Sequence, residues 1–130
     1  MTISLWCILV ALLAPYILSV LARSGVTKAD YVQDPRAFNE TLTGWHRRAH
    51  LAQLNAFETF PGFAAAVLVA HITQVPQIQI DIVASAFILF RLLHASFYIT
   101  DKPNLRSLSW QMGMLCIVSL FVLAAISQQT

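Results

Sequence analysis

An arginine, a histidine and a tyrosine stand at Arg91, His94 and Tyr98. At 100° per residue this spacing places all three within about 60° on one face of a helix. Upstream, Asn55 and Glu58 are three residues apart, and Arg48 lies about 20° from Asn55 two turns earlier. Downstream, Arg106-Ser107 follows the turn formers Pro103 and Asn104. Guanidinium forks take carboxylates in bidentate fashion, and an amide beside a carboxylate holds an ammonium or a backbone amide. A small ligand with more than one carboxylate, an amine and a thiol suits such a set, and the tripeptide glutathione is one. A thiol beside Arg106 and Ser107 would ionise more readily than at its ordinary pKa of about 8.5, because a cation and a hydroxyl donor favour thiolate.

The elements that must position these groups are set by composition. Of 130 residues, 58% are apolar and only 11% are charged, against about 25% charged in typical soluble domains. Mean hydropathy is +0.67, and the apolar residues fall in long blocks, so the natural solvent for most of the chain is lipid. This excludes a disordered tail, a disulfide-rich secreted module and a soluble nucleic-acid binder. Eight basic and six acidic side chains, net +2, are too few for a phosphate-tracking surface, and nothing resembles a zinc or helix-turn-helix signature. Cys7 and Cys116 sit inside apolar runs, where Cys acts as a small hydrophobe.

The pattern predicts one all-α domain over residues 1–130, an integral membrane four-helix bundle with spans at about 3–22, 46–73, 80–100 and 108–126. Residues 3–22 carry no charge and reach across a hydrocarbon core of about 30 Å. Pro15 is expected to bend this helix. A cleaved signal peptide is the rival reading of the segment, but Arg23 follows the apolar run and no Lys or Arg precedes it, the reverse of a signal peptide's charge order. The polar stretch between Gly25 and Gly44 reads as one long loop. The second span carries Glu58 well inside, with Pro61-Gly62 as the place for a kink. A short connection, Thr73 to Gln79, leads to the third span, and Asp101-Lys102-Pro103-Asn104 turns the chain into the fourth. Four crossings put both termini on one side, and the Lys and Arg residues lie in or toward the other, so the positive-inside rule places the termini away from the cytoplasm.

A charge near mid-bilayer costs about 2.5 to 3.5 kcal/mol, so each one kept there needs a partner or a use. Arg91 has nine uncharged residues before it and nine after it, and Glu58 is the acidic side chain at similar depth, so a structural ion pair between Arg91 and Glu58 is expected. Arg106-Ser107 is expected where a helix begins and its unpaired N–H groups face outward. Each feature alone has a plainer reading: an ion pair as interhelical glue, His94 as a packed histidine, Tyr98 as a belt residue, Arg47 and Arg48 as topology markers. These readings weaken together, because three helices aim Arg, Asn, Glu, His, Tyr and Ser at one depth. His46, His50 and His71 make no metal set with the carboxylates.

Arg91-Leu-Leu-His94-Ala-Ser-Phe-Tyr98, the later Arg106-Ser107, and Asn55-Ala-Phe-Glu58-Thr-Phe-Pro61 together resemble the MAPEG family, the membrane-associated proteins in eicosanoid and glutathione metabolism, and most of all its short bacterial members. The resemblance implies a homotrimer, with glutathione bound as co-substrate between subunits on the cytoplasmic side of a bacterial inner membrane. It also implies transferase or peroxidase-like activity on lipophilic electrophiles or hydroperoxides that arrive from the lipid. By position it gives Arg106 and Ser107 the catalytic roles beside the sulfur. Asn55, Glu58, His94 and Tyr98 would contact the peptide and Arg91 would brace the helix pair. Glutathione-using members carry an Arg four residues before the Asn, and many carry another directly before it. Here those positions are Leu51 and Leu54, and Arg48-Ala49-His50 stands one turn earlier, from which Arg48 would reach down to the ligand. Some members bind lipophilic ligands or act as scaffolds without catalysis, which is the alternative function. A small multidrug transporter is a third class, but it needs an intramembrane carboxylate to couple protons and the first span here contains none.

Overall fold

The computed structural model describes residues 1–27 and 31–128. Among the described residues there is no strand. The helices are α1 (Ile3–Ala22), α2 (Pro35–Glu40), α3 (Gly44–Ile72), α4 (Gln77–Ile99) and α5 (Pro103–Ser127). Local chemistry sets their ends. The Thr2 hydroxyl accepts the Leu5 N–H at 3.4 Å and starts α1. Asp34 accepts the Ala37 N–H at 3.1 Å, with Pro35 in the first turn, and starts α2. The predicted loop between Gly25 and Gly44 therefore contains a helix of six residues.

α3 and α4 stop in the same way. Just past each, Gln74 and Asp101 take a left-handed φ of 58°. The next residue turns its N–H back, Val75 to the Ala70 carbonyl at 3.0 Å and Lys102 to the Phe97 carbonyl at 2.9 Å. This is the Schellman closure of orphan carbonyls. After the second closure Pro103 supplies a preset φ and no N–H, both suited to a first helical turn. α5 therefore begins at Pro103 rather than at the predicted Leu108. α1 and α3 continue as helices through Pro15 and Pro61.

α3 and α4 form the middle of the molecule, and each packs on α1 and on α5. Phe63 of α3 and Phe87 of α4 are fully buried and stacked, with ring centroids 3.9 Å apart and planes 9° from parallel. Ala66, Ala70 and Ala84 line the same core, and small side chains let helices approach closely where lipid offers no hydrophobic drive for association. α1, α4 and α5 are each long and apolar enough to cross a membrane. Their outer faces carry exposed large apolar residues, such as Trp6, Val10, Ile17, Leu89, Leu92 and Val122. That outward apolarity is the pattern of a surface solvated by lipid.

The two ends of the bundle are tied differently. At the end that carries the α2 segment, the first turns of α3 clasp the carbonyl ends of two neighbours. His46 Nδ1 donates to the Ala22 carbonyl at 3.0 Å, and Arg48 Nε donates to the Ile99 carbonyl at 3.0 Å. At the end that carries Thr2, the Asp81 carboxylate of α4 accepts both the Ser4 N–H and the Gln77 side-chain amide at 2.8 Å. A carboxylate there meets the positive end of α1's dipole.

Candidate functional site

Three helices bring their polar residues to one groove. α3 contributes Asn55, α4 contributes His94 and Tyr98, and α5 contributes Arg106, Ser107, Trp110 and Gln111, around a volume of about 350 Å³. A second groove of about 320 Å³ shares Asn55 and Trp110 and continues along α3 and α5 past Glu58, Thr59 and Gly62 to Met114 and Ile117. The pair runs from a polar end to an apolar one.

The polar end is held by contacts between α4 and α5. His94 is 3% exposed, and its Nδ1 lies 3.1 Å from the Arg106 carbonyl. A carbonyl only accepts, so Nδ1 carries the proton, and in the neutral ring Nε2 is then an acceptor. Nε2 is buried and among the described residues has no hydrogen-bond partner. The His94 ring meets Tyr98 edge to face, with centroids 5.5 Å apart. Arg106 lays its guanidinium 4.7 Å from the centre of the Tyr98 ring, a cation–π contact that fixes the arginine without consuming its N–H donors. Among the described residues no acceptor meets the Arg106 guanidinium and no partner meets the Ser107 hydroxyl. The groove therefore presents a cation and a hydroxyl free to act on a bound group.

Two arginines that the residue pattern assigns elsewhere are engaged. Arg91 Nη2 donates to Asn55 Oδ1 at 2.7 Å, and the Asn55 amide donates to Glu58 at 3.5 Å. Among the described residues Arg91 and Glu58 form no ion pair within 4 Å, which corrects the predicted direct pairing. The reason is position: Asn55 comes between the two charges, and its carbonyl oxygen takes the guanidinium while its NH₂ faces the carboxylate. The Arg91 stem passes over Gly113, where a Cβ would lie 3.7 Å from Arg91 Cδ. Arg48 also stands apart from the groove, because its Nε closes the end of α4 at Ile99. The expectation that it reaches down toward Asn55 is not met.

Arg106 and Ser107 offer the groove their side chains and not free backbone donors. The Arg106 N–H is already paired with the Lys102 carbonyl at 2.9 Å, because α5 starts three residues before it. The predicted free backbone N–H is thus absent at Arg106. Trp110 and Gln111 line the groove although the residue pattern did not single them out as site residues. They stand four residues after Arg106 and Ser107, so the i, i+4 rule applied to that pair would have found them.

A separate apolar cleft lies between α1, α3 and α4, lined by residues such as Ala11, Ala14, Ala52, Ala56 and Phe60, and among the described residues Arg91 is its one charged side chain. Among the described residues no three His, Cys, Asp or Glu side chains gather as metal ligands. No curated protein and no solved structure matches the chain. Residues 3–126 match the sequence model of the MAPEG family.

Proposed function

The chain belongs to the MAPEG family, and from that premise we propose that it is a membrane-embedded, glutathione-dependent transferase or peroxidase-like protein acting on lipophilic electrophiles or hydroperoxides. The observation that carries the reading is the convergence of Asn55, His94, Tyr98, Arg106 and Ser107 on one groove, with no hydrogen-bond partner for the last two side chains among the described residues. In this reading the thiol sits with its sulfur beside Arg106 and Ser107. Its proton leaves to water at the groove's mouth, and the guanidinium and the hydroxyl stabilise the thiolate. The sulfur then attacks an electrophilic carbon: a C–S bond forms and the leaving group departs with the electron pair of its bond. With a hydroperoxide the sulfur attacks the outer oxygen to give a sulfenic acid, the O–O bond breaks with its electron pair on the inner oxygen, and the alkoxide takes a proton from water and leaves as the alcohol. A second thiol reduces the sulfenic acid to a disulfide and water. His94 and Tyr98 position Arg106, and Glu58 is the carboxylate for the ligand's amine.

The same reading treats α3 as a fourth span beside the three apolar helices, residues 1–130 as one domain, and the protein as a homotrimer. The loop end faces the cytoplasm in the inner membrane of a bacterium, and apolar substrates enter from the lipid. The apolar floor of the second groove, at Met114 and Ile117, supports that route. A non-catalytic ligand-binding or scaffold role on the same fold is favoured by one observation, the capture of Arg48 by Ile99 beside Leu51 and Leu54. Ultraviolet absorbance separates the two. Protein in detergent is expected to develop a thiolate band on adding glutathione, and Arg106→Ala is expected to abolish it. An undiminished band in that variant ends the proposed role of Arg106, and no band in the unaltered protein favours the scaffold.

A further inference from the structure

An asparagine amide has an acceptor on one side and a donor on the other, and rotation about its last bond exchanges them at small cost. Asn55 has no such choice. Its Oδ1 takes Arg91 Nη2 at 2.7 Å, and a guanidinium only donates, so the oxygen faces Arg91 and the NH₂ points away from it. The arginine is itself placed by packing: Phe87 and the bare backbone of Gly113 leave room for its stem, with Arg91 Cδ 3.7 Å from where a Gly113 Cβ would stand. Thr59, one turn along α3, spends its hydroxyl on the backbone carbonyls of Asn55 and Ala56 at 3.1 and 3.3 Å. It leaves the Asn55 side chain to Arg91. The NH₂ carries two N–H groups, of which the 3.5 Å contact with Glu58 uses one, and Asn55 lines both grooves.

We infer that Arg91 is a positioning residue for the groove: acting through Asn55, it fixes a hydrogen-bond donor there and so selects thiols whose skeleton brings a carbonyl or carboxylate oxygen to that place. This rests on the thiol reading above and specifies the polarity of one contact. Asn55 and Glu58 then divide the work, the amide N–H meeting an oxygen of the ligand and the carboxylate its ammonium. The bond that sets this polarity lies within one chain, between α3 and α4, and owes nothing to neighbouring copies.

The probe is glutathione, followed by thiolate absorbance and calorimetry on the full chain in nanodiscs, with unfolding midpoints measured on the same variants. Asn55→Asp keeps the shape and the acceptor for Arg91 but turns the donor into a second acceptor. It is expected to unfold no earlier than the unaltered protein, because its charge strengthens the bond to Arg91. It is also expected to need about tenfold more glutathione for saturation, because the ligand's oxygen loses its donor. Arg91→Leu lets the amide turn and is expected to weaken glutathione about threefold or more, and Arg91→Lys, which keeps a donor for Oδ1, is expected to recover most of that affinity. Undiminished affinity in Asn55→Asp overturns the inference, and so does an Arg91→Leu protein that loses stability without losing affinity. Either comparison decides the matter if the other variant fails to fold. These outcomes, with a thiolate band in the unaltered protein, end this inference alone. No band and no heat in the unaltered protein ends the thiol reading along with it.

Discussion

Removing Asn55 should cost more than removing Glu58, although Glu58 carries the charge. Arg91 lies between helices with its guanidinium 2.7 Å from Asn55 Oδ1, a charge-assisted bond of about 1.5–3 kcal/mol. Asn55→Leu leaves that guanidinium without its acceptor beside the Phe87 and Gly113 surfaces, and breaking one side of a buried charged contact costs about 3–5 kcal/mol. The lower figure applies because Arg91 is only half-buried. Arg91→Leu removes the charge along with the bond and should cost about 2 kcal/mol, near the middle of that bond's range. Simple addition gives about 5 kcal/mol for the double variant. If the two side chains act as one unit, about 3 kcal/mol is lost and the coupling is about 2 kcal/mol. Glu58→Leu should cost under about 1 kcal/mol, since the carboxylate is exposed and touches Asn55 only at 3.5 Å. Reversible unfolding in mixed micelles, read by tryptophan fluorescence, measures all of these. The reasoning is refuted if Glu58→Leu couples to Arg91→Leu as strongly as Asn55→Leu does, because that is the signature of a direct ion pair.

Arg48→Ala should lower stability by about 1–2 kcal/mol through loss of the cationic cap on Ile99; unfolding midpoints measure this, and a fall in glutathione affinity as well would mean that Arg48 reaches the ligand after all. Asp81→Ala removes two 2.8 Å bonds at the opposite end of the bundle and should cost about 1–2 kcal/mol at a partly exposed site, with the thiolate band intact. Loss of the band in that variant would show that the two ends are coupled. Phe87→Ala empties the stacked partner of Phe63 and should cost about 3–5 kcal/mol in the same unfolding assay; a loss under about 1 kcal/mol would mean that the pair does not organise the core.

The helices were largely legible in the residues. An uncharged run fixed α1, and the turn chemistry near Pro103 marked where α4 gives way to α5. The error at α5 came from reading Pro103 and Asn104 as turn only, when Pro is also a preferred first residue of a helix. α2 was hidden because six residues are too few for a periodic pattern, while its Asp34-Pro35 start is a local signal that a loop also uses. In the groove, Asn55, His94, Tyr98, Arg106 and Ser107 were all readable as polar positions where lipid-facing sequence should have none.

What the sequence determined by itself, then, is which residues share a helix face, because 3.6 residues per turn is a property of the backbone alone. Which face meets which neighbour belongs to the tertiary structure. That Arg91 reaches Asn55 before Glu58, and that Arg48 closes the end of α4 instead of reaching the groove, depends on how α3 and α4 are placed against each other. A long side chain with several donors pairs with whichever acceptor that packing brings within about 3 Å, and a helical wheel carries no such distance.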